Sequence, residues 1–307
     1  MSPEASTLAD GKRRASEHGR ANSVSTVSAL IADDSRVFDL SHPWFQGMPA
    51  APNRVPYVFT MVLRHGDRPR DDGVSAANEL VVLSGHTGTH LDALGHVSRG
   101  GLLHGGIPVS GIEAPAGGIR ELGVETVPPI LCRGVLLDVA ATRHVDCLPP
   151  AYEVTSDDLE AAEARLDTPV RPGDGVLIRT GWGRYWPDPQ EYQAGTNGWP
   201  GPGPAAAEWL IRRRIIIAGS DTPPFEVVRP DRNVRPVHGR LLVDAGIYIL
   251  ESLSLDQLGA ADVTTAFVLV ALPLKLVGAT GSPVRPVAIV PGSAPPALDG
   301  PLHATTS

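Results

Sequence analysis

Lysine is nearly missing from this chain of 307 residues: Lys12 and Lys275 are the only two among 26 basic residues, and the arginines that make up the rest are scattered. Acidic residues number 34, so the formal net charge is −8. No basic stripe is available to neutralise phosphates, which excludes nucleic acid as the expected partner. Cysteine is as scarce. Cys132 and Cys147 form neither a disulfide framework nor a CxxC metal knuckle, and a reducing, cytoplasmic setting is the economical expectation. Long apolar runs are absent too. The longest, residues 266–274, is stopped by Lys275 and falls far short of the ~20 residues a membrane span requires. What is present is ordinary for a globular protein, 42% hydrophobic and 20% charged, which excludes disorder along the whole chain. Gly (33) and Pro (30) are frequent enough to rule out a coiled coil or a simple helical bundle.

The polar segment 1–36, with Arg13, Arg14 and Arg20, reads as a flexible N-terminal tail, and residues 292–307 as a second one. Between them, one domain is expected over residues 37–291. Short β-branched and aromatic runs at 37–40, 57–64, 80–83, 135–139, 175–180, 215–218, 246–250, 264–272 and 286–290 read as strands. Residues 155–166, with Thr155 as N-cap and Asp157 and Asp158 in the first turn, read as a helix. So do residues 204–213, with Pro204 at the start. Strands outnumber helices and alternate with them along the chain. The expectation is a single α/β domain whose mixed sheet curls toward a barrel with flanking helices.

Four of the ten histidines, His86, His90, His96 and His104, crowd into one short stretch. In an extended chain His86, His90, Asp92 and His96 would point to one face, because side chains alternate with period two. Thr87, Gly88 and Thr89 make a poor helical insert, so the group is expected on a strand end or taut loop. Imidazoles and a carboxylate on one face suit a divalent cation with open positions, zinc or manganese. Farther along, Ile247, Ile249 and Glu251 share a strand face. A carboxylate there is expensive to bury without a cation or donors. If it is buried, His238 and Glu251 could complete a second metal site with Asp92 bridging; if the strand ends there, Glu251 simply meets water.

Taken together these residues amount to a resemblance. His86-Thr-Gly-Thr-His90-Leu-Asp92 followed by His96 resembles the signature of the metal-dependent cyclase family, which includes kynurenine formamidase and isatin hydrolase. The blocks 38–43, 173–182, 218–222 and His238 with Glu251 resemble further family segments, so the likeness runs over roughly residues 37–290. It implies a swivelling β/β/α fold, commonly assembled as homodimers or homotetramers. It also implies one or two Zn2+ or Mn2+ ions per subunit. His86, His90 and Asp92 would hold a first ion, Asp92, His238 and Glu251 a second, and His96 would carry protons. Where the family's formamidases place a tryptophan after the opening strand, this chain has Ala51, and Leu94 replaces the proline of their Asp-Ala-Pro. Both departures bear on the substrate rather than on the metal chemistry.

A cation that activates water while polarising a carbonyl points to hydrolysis of an amide, a cyclic amide or imide, or a lactone. Five of the fifteen aromatic residues (Trp182, Tyr185, Trp186, Tyr192 and Trp199) lie close together among prolines and glycines. This stretch reads as a loop, either self-packed or an aromatic lid over a planar small molecule. Trp44, Phe45, Trp182, Tyr185 and Trp186 are the candidate substrate contacts. A cyclase of polyketide-type intermediates on the same metal site is the alternative, and a non-catalytic binding protein a remote one. The run Arg64-His65-Gly66-Asp67-Arg68 imitates the nucleophile motif of histidine acid phosphatases, but no histidine here is followed by the Asp that chemistry requires.

Overall fold

The computed structural model describes residues 30–51, 54–115, 117–193 and 197–292. Nine strands form its central sheet: β1 (Arg36–Asp39), β2 (His90–Asp92), β3 (Ile130–Asp138), β4 (Gly175–Arg179), β5 (Ile217–Ser220), β6 (Tyr248–Glu251), β7 (Phe267–Ala271), β8 (Gly281–Pro283) and β9 (Val287–Val290). Their lateral order is β1-β9-β7-β3-β4-β5-β6-β2-β8. The four central strands β3, β4, β5 and β6 run parallel. Antiparallel pairs continue the sheet on both sides. Arg36, expected at the end of a tail, is the first residue of β1. The remainder of the two expected tails falls largely outside the described residues.

The central strands are Val-, Ile- and Leu-rich and buried on both faces, as a parallel sheet needs when each surface is covered. On one face Leu137, Val176, Ile178 and Ile249 pack against Leu159, Trp209 and Leu210 of the helices Ser156–Glu163 and Pro204–Arg212. Thr155 caps the first of these helices reciprocally with Asp158, as its sequence anticipates. On the other face Leu136, Leu177, Ile217 and Leu250 join a second core. That core also holds Phe38 of β1 and Leu91 of β2, which stand near opposite ends of the strand order. The cluster runs across the intervening strands, and the sheet curls toward a barrel around it. Hydrogen bonds complete the curl: Ser254 N–H donates to Leu40 O (2.9 Å), and His42 N–H donates to Thr89 Oγ1 (3.0 Å).

Two expectations change. The runs near residues 60 and 80 do form strands, Val58–Leu63 and Asn78–Val82, but they pair only with each other in a separate hairpin. Val58, Met61, Leu80 and Val82 are exposed there. The phosphatase-like run sits in the hairpin's loop, where Asp67 accepts a hydrogen bond from Arg64 N–H (2.8 Å) and His65 bonds Ser75 Oγ. The aromatic stretch also differs from a loop. It folds into two short helical turns, Trp182–Tyr185 and Pro189–Gln193. Asp221 anchors its start, accepting from Thr180 N–H, Thr180 Oγ1 and Gly181 N–H while fully buried. Among the described residues no helix is long and apolar enough to cross a membrane.

Candidate metal centre

Strand pairing assembles the donors. In the antiparallel β6–β2 ladder, Glu251 stands opposite His90 and Ile249 opposite Asp92. Period-two alternation sends Leu91 and Leu250 into one core and turns His90, Asp92 and Glu251 together to the other face. The extended-chain reading therefore holds for His90 and Asp92 alone. His86 and His96 occupy turns on either side of β2 and converge by tertiary folding. Two glycines make that possible. Gly88 has φ +64°, and a side chain there would meet Trp44 Nε1; a side chain at Gly281 would strike the His86 ring. His238 arrives from the short helix Pro236–His238, which continues into a wide helical turn, Gly239–Ala245, anchored in the core by Leu241 and Leu242.

Asp92 is the hub. Its Oδ1 lies 2.7 Å from His86 Nδ1 and 3.5 Å from His90 Nε2, and its Oδ2 lies 3.6 Å from His238 Nε2 and 3.9 Å from His96 Nε2. Glu251 closes the ring, with Oε2 3.3 Å from His90 Nε2 and Oε1 3.0 Å from His238 Nε2. Asp92 is completely buried, and His90, His238 and Glu251 nearly so. The far side of each imidazole is tethered. His90 Nδ1 bonds Gly88 O (2.8 Å), and His238 Nδ1 bonds Glu226 Oε1 (2.6 Å). These tethers leave both Nε2 atoms aimed at the carboxylates, the arrangement in which an outer carboxylate or carbonyl orients a ligating histidine.

The donor set fits a divalent cation. Asp92 Oδ2 is buried with no hydrogen-bond partner, an expensive state for an oxygen that bears charge. Donor atoms of His86, Asp92 and His96 lie within 4.8 Å of one another, and so do those of His90, Asp92 and Glu251. Asp92 thus belongs to both groups. His96 stands as close as a ligand would, stacked on His86 with ring centroids 4.0 Å apart.

Electrostatics point the same way. Burial would raise the Asp92 carboxyl, yet the surrounding histidines hold it well below its ordinary range. Burial and Asp92 would also raise Glu251, but His238 and His90 bring it down to about 2. Burial opposes protonation of His90 and His238; hydrogen bonds and charge from Asp92, Glu251 and Glu226 outweigh it and raise both rings. His96 behaves oppositely, pushed down to about 4 chiefly by burial. The two lowered carboxyls thus favour protons on the His90 and His238 rings, positive charge that a dication could supply instead.

The cluster forms one wall of a cavity of about 330 Å³. Trp186, Tyr192 and Trp199 contribute aromatic surface to it, and Arg54 and Arg235 also line it. A larger, more open hollow of about 610 Å³ shares only His86 with the donor cluster, so it is the smaller cavity that meets the chemistry. Of the five aromatic contacts expected from sequence, Trp186 lies on the cavity wall, its Nε1 donating to Pro43 O and its ring stacked on His42. Trp182 is buried, donating Nε1–H to Tyr192 O, and Tyr185 packs edge-on against it; neither lines the cavity. Trp44 packs behind Gly88, and Phe45 is partly exposed away from the wall. Glu226, completely buried, escaped sequence reasoning because nothing around it repeats a motif. Thr280, whose hydroxyl bonds His86 Nε2 (2.9 Å), escaped it for the same reason.

Comparison with known proteins follows the same outline. The sequence model of the family described as Putative cyclase matches residues 38–227. An isatin hydrolase of Roseibium aggregatum is 27% identical over 241 residues, 72% of this chain and 77% of that protein. A kynurenine formamidase of Bordetella petrii is 26% identical over 252 residues, 82% of this chain and 97% of its own. The solved structure of a novel cyclase superposes with a TM-score of 0.81 at 30% identity, covering 90% of this chain and 95% of that one. The family match ends before His238 and Glu251, so their membership in the cluster comes from the fold.

In metal-free protein the pKa values of His90 and His238 are raised above the ordinary ~6.5, so both rings keep their protons to higher pH than a free imidazole does. An entering dication must displace those protons. Affinity for Zn2+ or Mn2+ should therefore climb with pH by about tenfold per unit for each proton displaced, and calorimetry in buffers of different ionisation heat should record proton release. Binding that is flat with pH would remove His90 and His238 from the donor set. Glu226→Gln weakens the tether on His238 Nδ1, and metal dissociation constants should rise ~10- to 100-fold; an unchanged constant would show that the tether is irrelevant.

Proposed function

The chain belongs to the putative cyclase family, and from that premise we propose that it is a metal-dependent hydrolase that opens an amide-type C–N bond, in an open-chain or a cyclic amide. One observation carries this reading: a buried carboxylate oxygen of Asp92 without a hydrogen-bond partner, ringed by imidazoles at the wall of a partly aromatic cavity. The names of the relatives support it, since isatin is a cyclic amide and a formamidase acts on a formamide.

His86, His90, Asp92, His238 and Glu251 would hold one or two divalent ions. Such an ion, when bound, acts as a Lewis acid and brings the pKa of water toward ~7. The remaining work falls to the chain. His96 is neutral at pH 7, because burial keeps its pKa near 4. Its Nε2 stays 3.9 Å from Asp92 Oδ2, beyond hydrogen-bond reach, so that nitrogen is free to take a proton as water adds to the substrate carbonyl. The same nitrogen then returns the proton to the departing amide nitrogen. Water and amide become carboxylic acid and amine, with His96 restored. Trp199, half-buried and backed by the deeply buried Trp186 and Tyr192, provides apolar surface against which a planar substrate can lie. Zn2+ against Mn2+, and a subunit assembled as a homodimer or homotetramer, belong to this proposal as expectations drawn from the family resemblance.

His86→Ala should strip metal from the purified protein, read by elemental analysis. His96→Asn should keep the metal while turnover of an aryl formamide falls by ~10²–10⁴. If His96→Asn loses the metal instead, the residue is a ligand; if turnover is unchanged, it has no part in proton transfer.

A further inference from the structure

With 34 acidic residues in the chain, arginines find counter-ions readily. Arg99 pairs with Asp244 at 2.5 Å, Arg229 with Glu153 at 2.8 Å and Arg165 with Asp262 at 2.9 Å. Arg54 and Arg235 are among the arginines that stay outside such pairs, and what sets these two apart is their place beside the donor cluster. Both line the cavity that ends on the donor cluster, and among the described residues neither makes an ion pair. The Arg235 side chain donates only to the neighbouring carbonyl of Val234, at 3.3 Å.

Both are tied to the site by backbone geometry. Arg235 immediately precedes the helix Pro236–His238, and Glu226 holds that helix by accepting from Val237 N–H (2.8 Å) and from His238 Nδ1. Its backbone is therefore fixed within one helical turn of a metal-donor histidine. Arg54 N–H donates to Ala51 O (2.9 Å), and Ala51 lines the same cavity. A guanidinium is a planar fork that matches a carboxylate through paired hydrogen bonds. Two such forks on one cavity, neither paired with a carboxylate of the chain, are suited to an anion that enters with the substrate.

We propose that Arg54 and Arg235 select substrates bearing a carboxylate, held by the guanidinium groups while the planar portion lies against the cavity's aromatic wall. The inference rests on the hydrolase reading for which bond is cut, but not for whether the anion binds. It makes the preferred substrate a carboxylated aryl amide or cyclic amide rather than a neutral one.

The test uses phenylurea and 3-carboxyphenylurea, planar amide mimics that resist hydrolysis, titrated calorimetrically into the metal-loaded protein. The carboxylated ligand should bind at least ~10-fold more tightly, and that ratio should fall toward one in R54M, in R235M and most of all in the double variant. R235K should retain part of the preference, and unchanged thermal midpoints would show that the variants fold. Equal affinity of the wild type for the two ligands, or a ratio that survives the double variant, overturns the proposal. Turnover of formanilide and 3-carboxyformanilide is read separately. A protein that prefers the carboxylated urea yet cleaves neither formanilide nor a cyclic aryl amide supports the arginine assignment and refutes the hydrolase reading.

Discussion

Burying Asp92 and Glu251 on an otherwise apolar sheet face is the constraint around which the rest of the molecule is arranged. Each carboxylate lies on a strand whose alternate residues fill a hydrophobic core, and neither can turn toward water without breaking the β6–β2 register. Removing such groups from water is tolerable only when charge or hydrogen bonds replace the lost hydration. Four imidazoles meet that demand here, with backbone N–H of Phe225 donating to Glu251 Oε1 at 2.7 Å. The same crowding that makes the site costly makes it selective. A group of oxygens and imidazole nitrogens with its outer hydrogen bonds already made is poised for a cation and for little else.

The curl of the sheet sets that local arrangement against the wall of a cavity. Strand β2 is three residues long and has little stability of its own; it is held because β6 and β8 pair with it on both sides. Curling brings the segment after β1 back across the site. His42 N–H bonds Thr89 Oγ1, Thr89 Oγ1 in turn donates to Ser252 O, and the His42 ring stacks on Trp186. The aromatic wall and the donor cluster are thereby locked to one another through residues adjacent to β1, β2 and β6. Asp221 adds a second lock by fixing the backbone at Thr180 and Gly181, where the turn bearing Trp182 and Trp186 begins.

Much of this was legible in the amino-acid order. The spacing of His86, His90, Asp92 and His96 anticipates a cluster, and the structure does bring these four side chains together. The Ile247, Ile249, Glu251 pattern announces a carboxylate on a core-facing strand. The Thr155 cap and Pro204 mark the starts of two helices that the structure contains. The departures have physical causes. The strand end or taut loop expected for the histidine group is found, but period two orients only His90 and Asp92, whereas turns deliver His86 and His96. Aromatic density left a self-packed loop and a lid open, and the self-packed outcome holds for Trp182 and Tyr185, which pack edge-on while Trp182 Nε1–H donates to the Tyr192 carbonyl. Alternating apolar residues near 60 and 80 report strand geometry without reporting which sheet the strands join.

Residue order alone determined the chemical type of the centre, because ligand identity and short-range spacing are local properties. It also determined the α/β class, since strand and helix periodicities are written in adjacent residues. Which groups complete the centre was decided only in three dimensions. Glu226 and Thr280 lie far from the histidine signature in sequence and reach it through strand pairing and a curled sheet. Arg54 and Arg235 share a cavity although 181 positions separate them. Contacts of that range depend on how the whole chain closes on its core, and no local pattern encodes them.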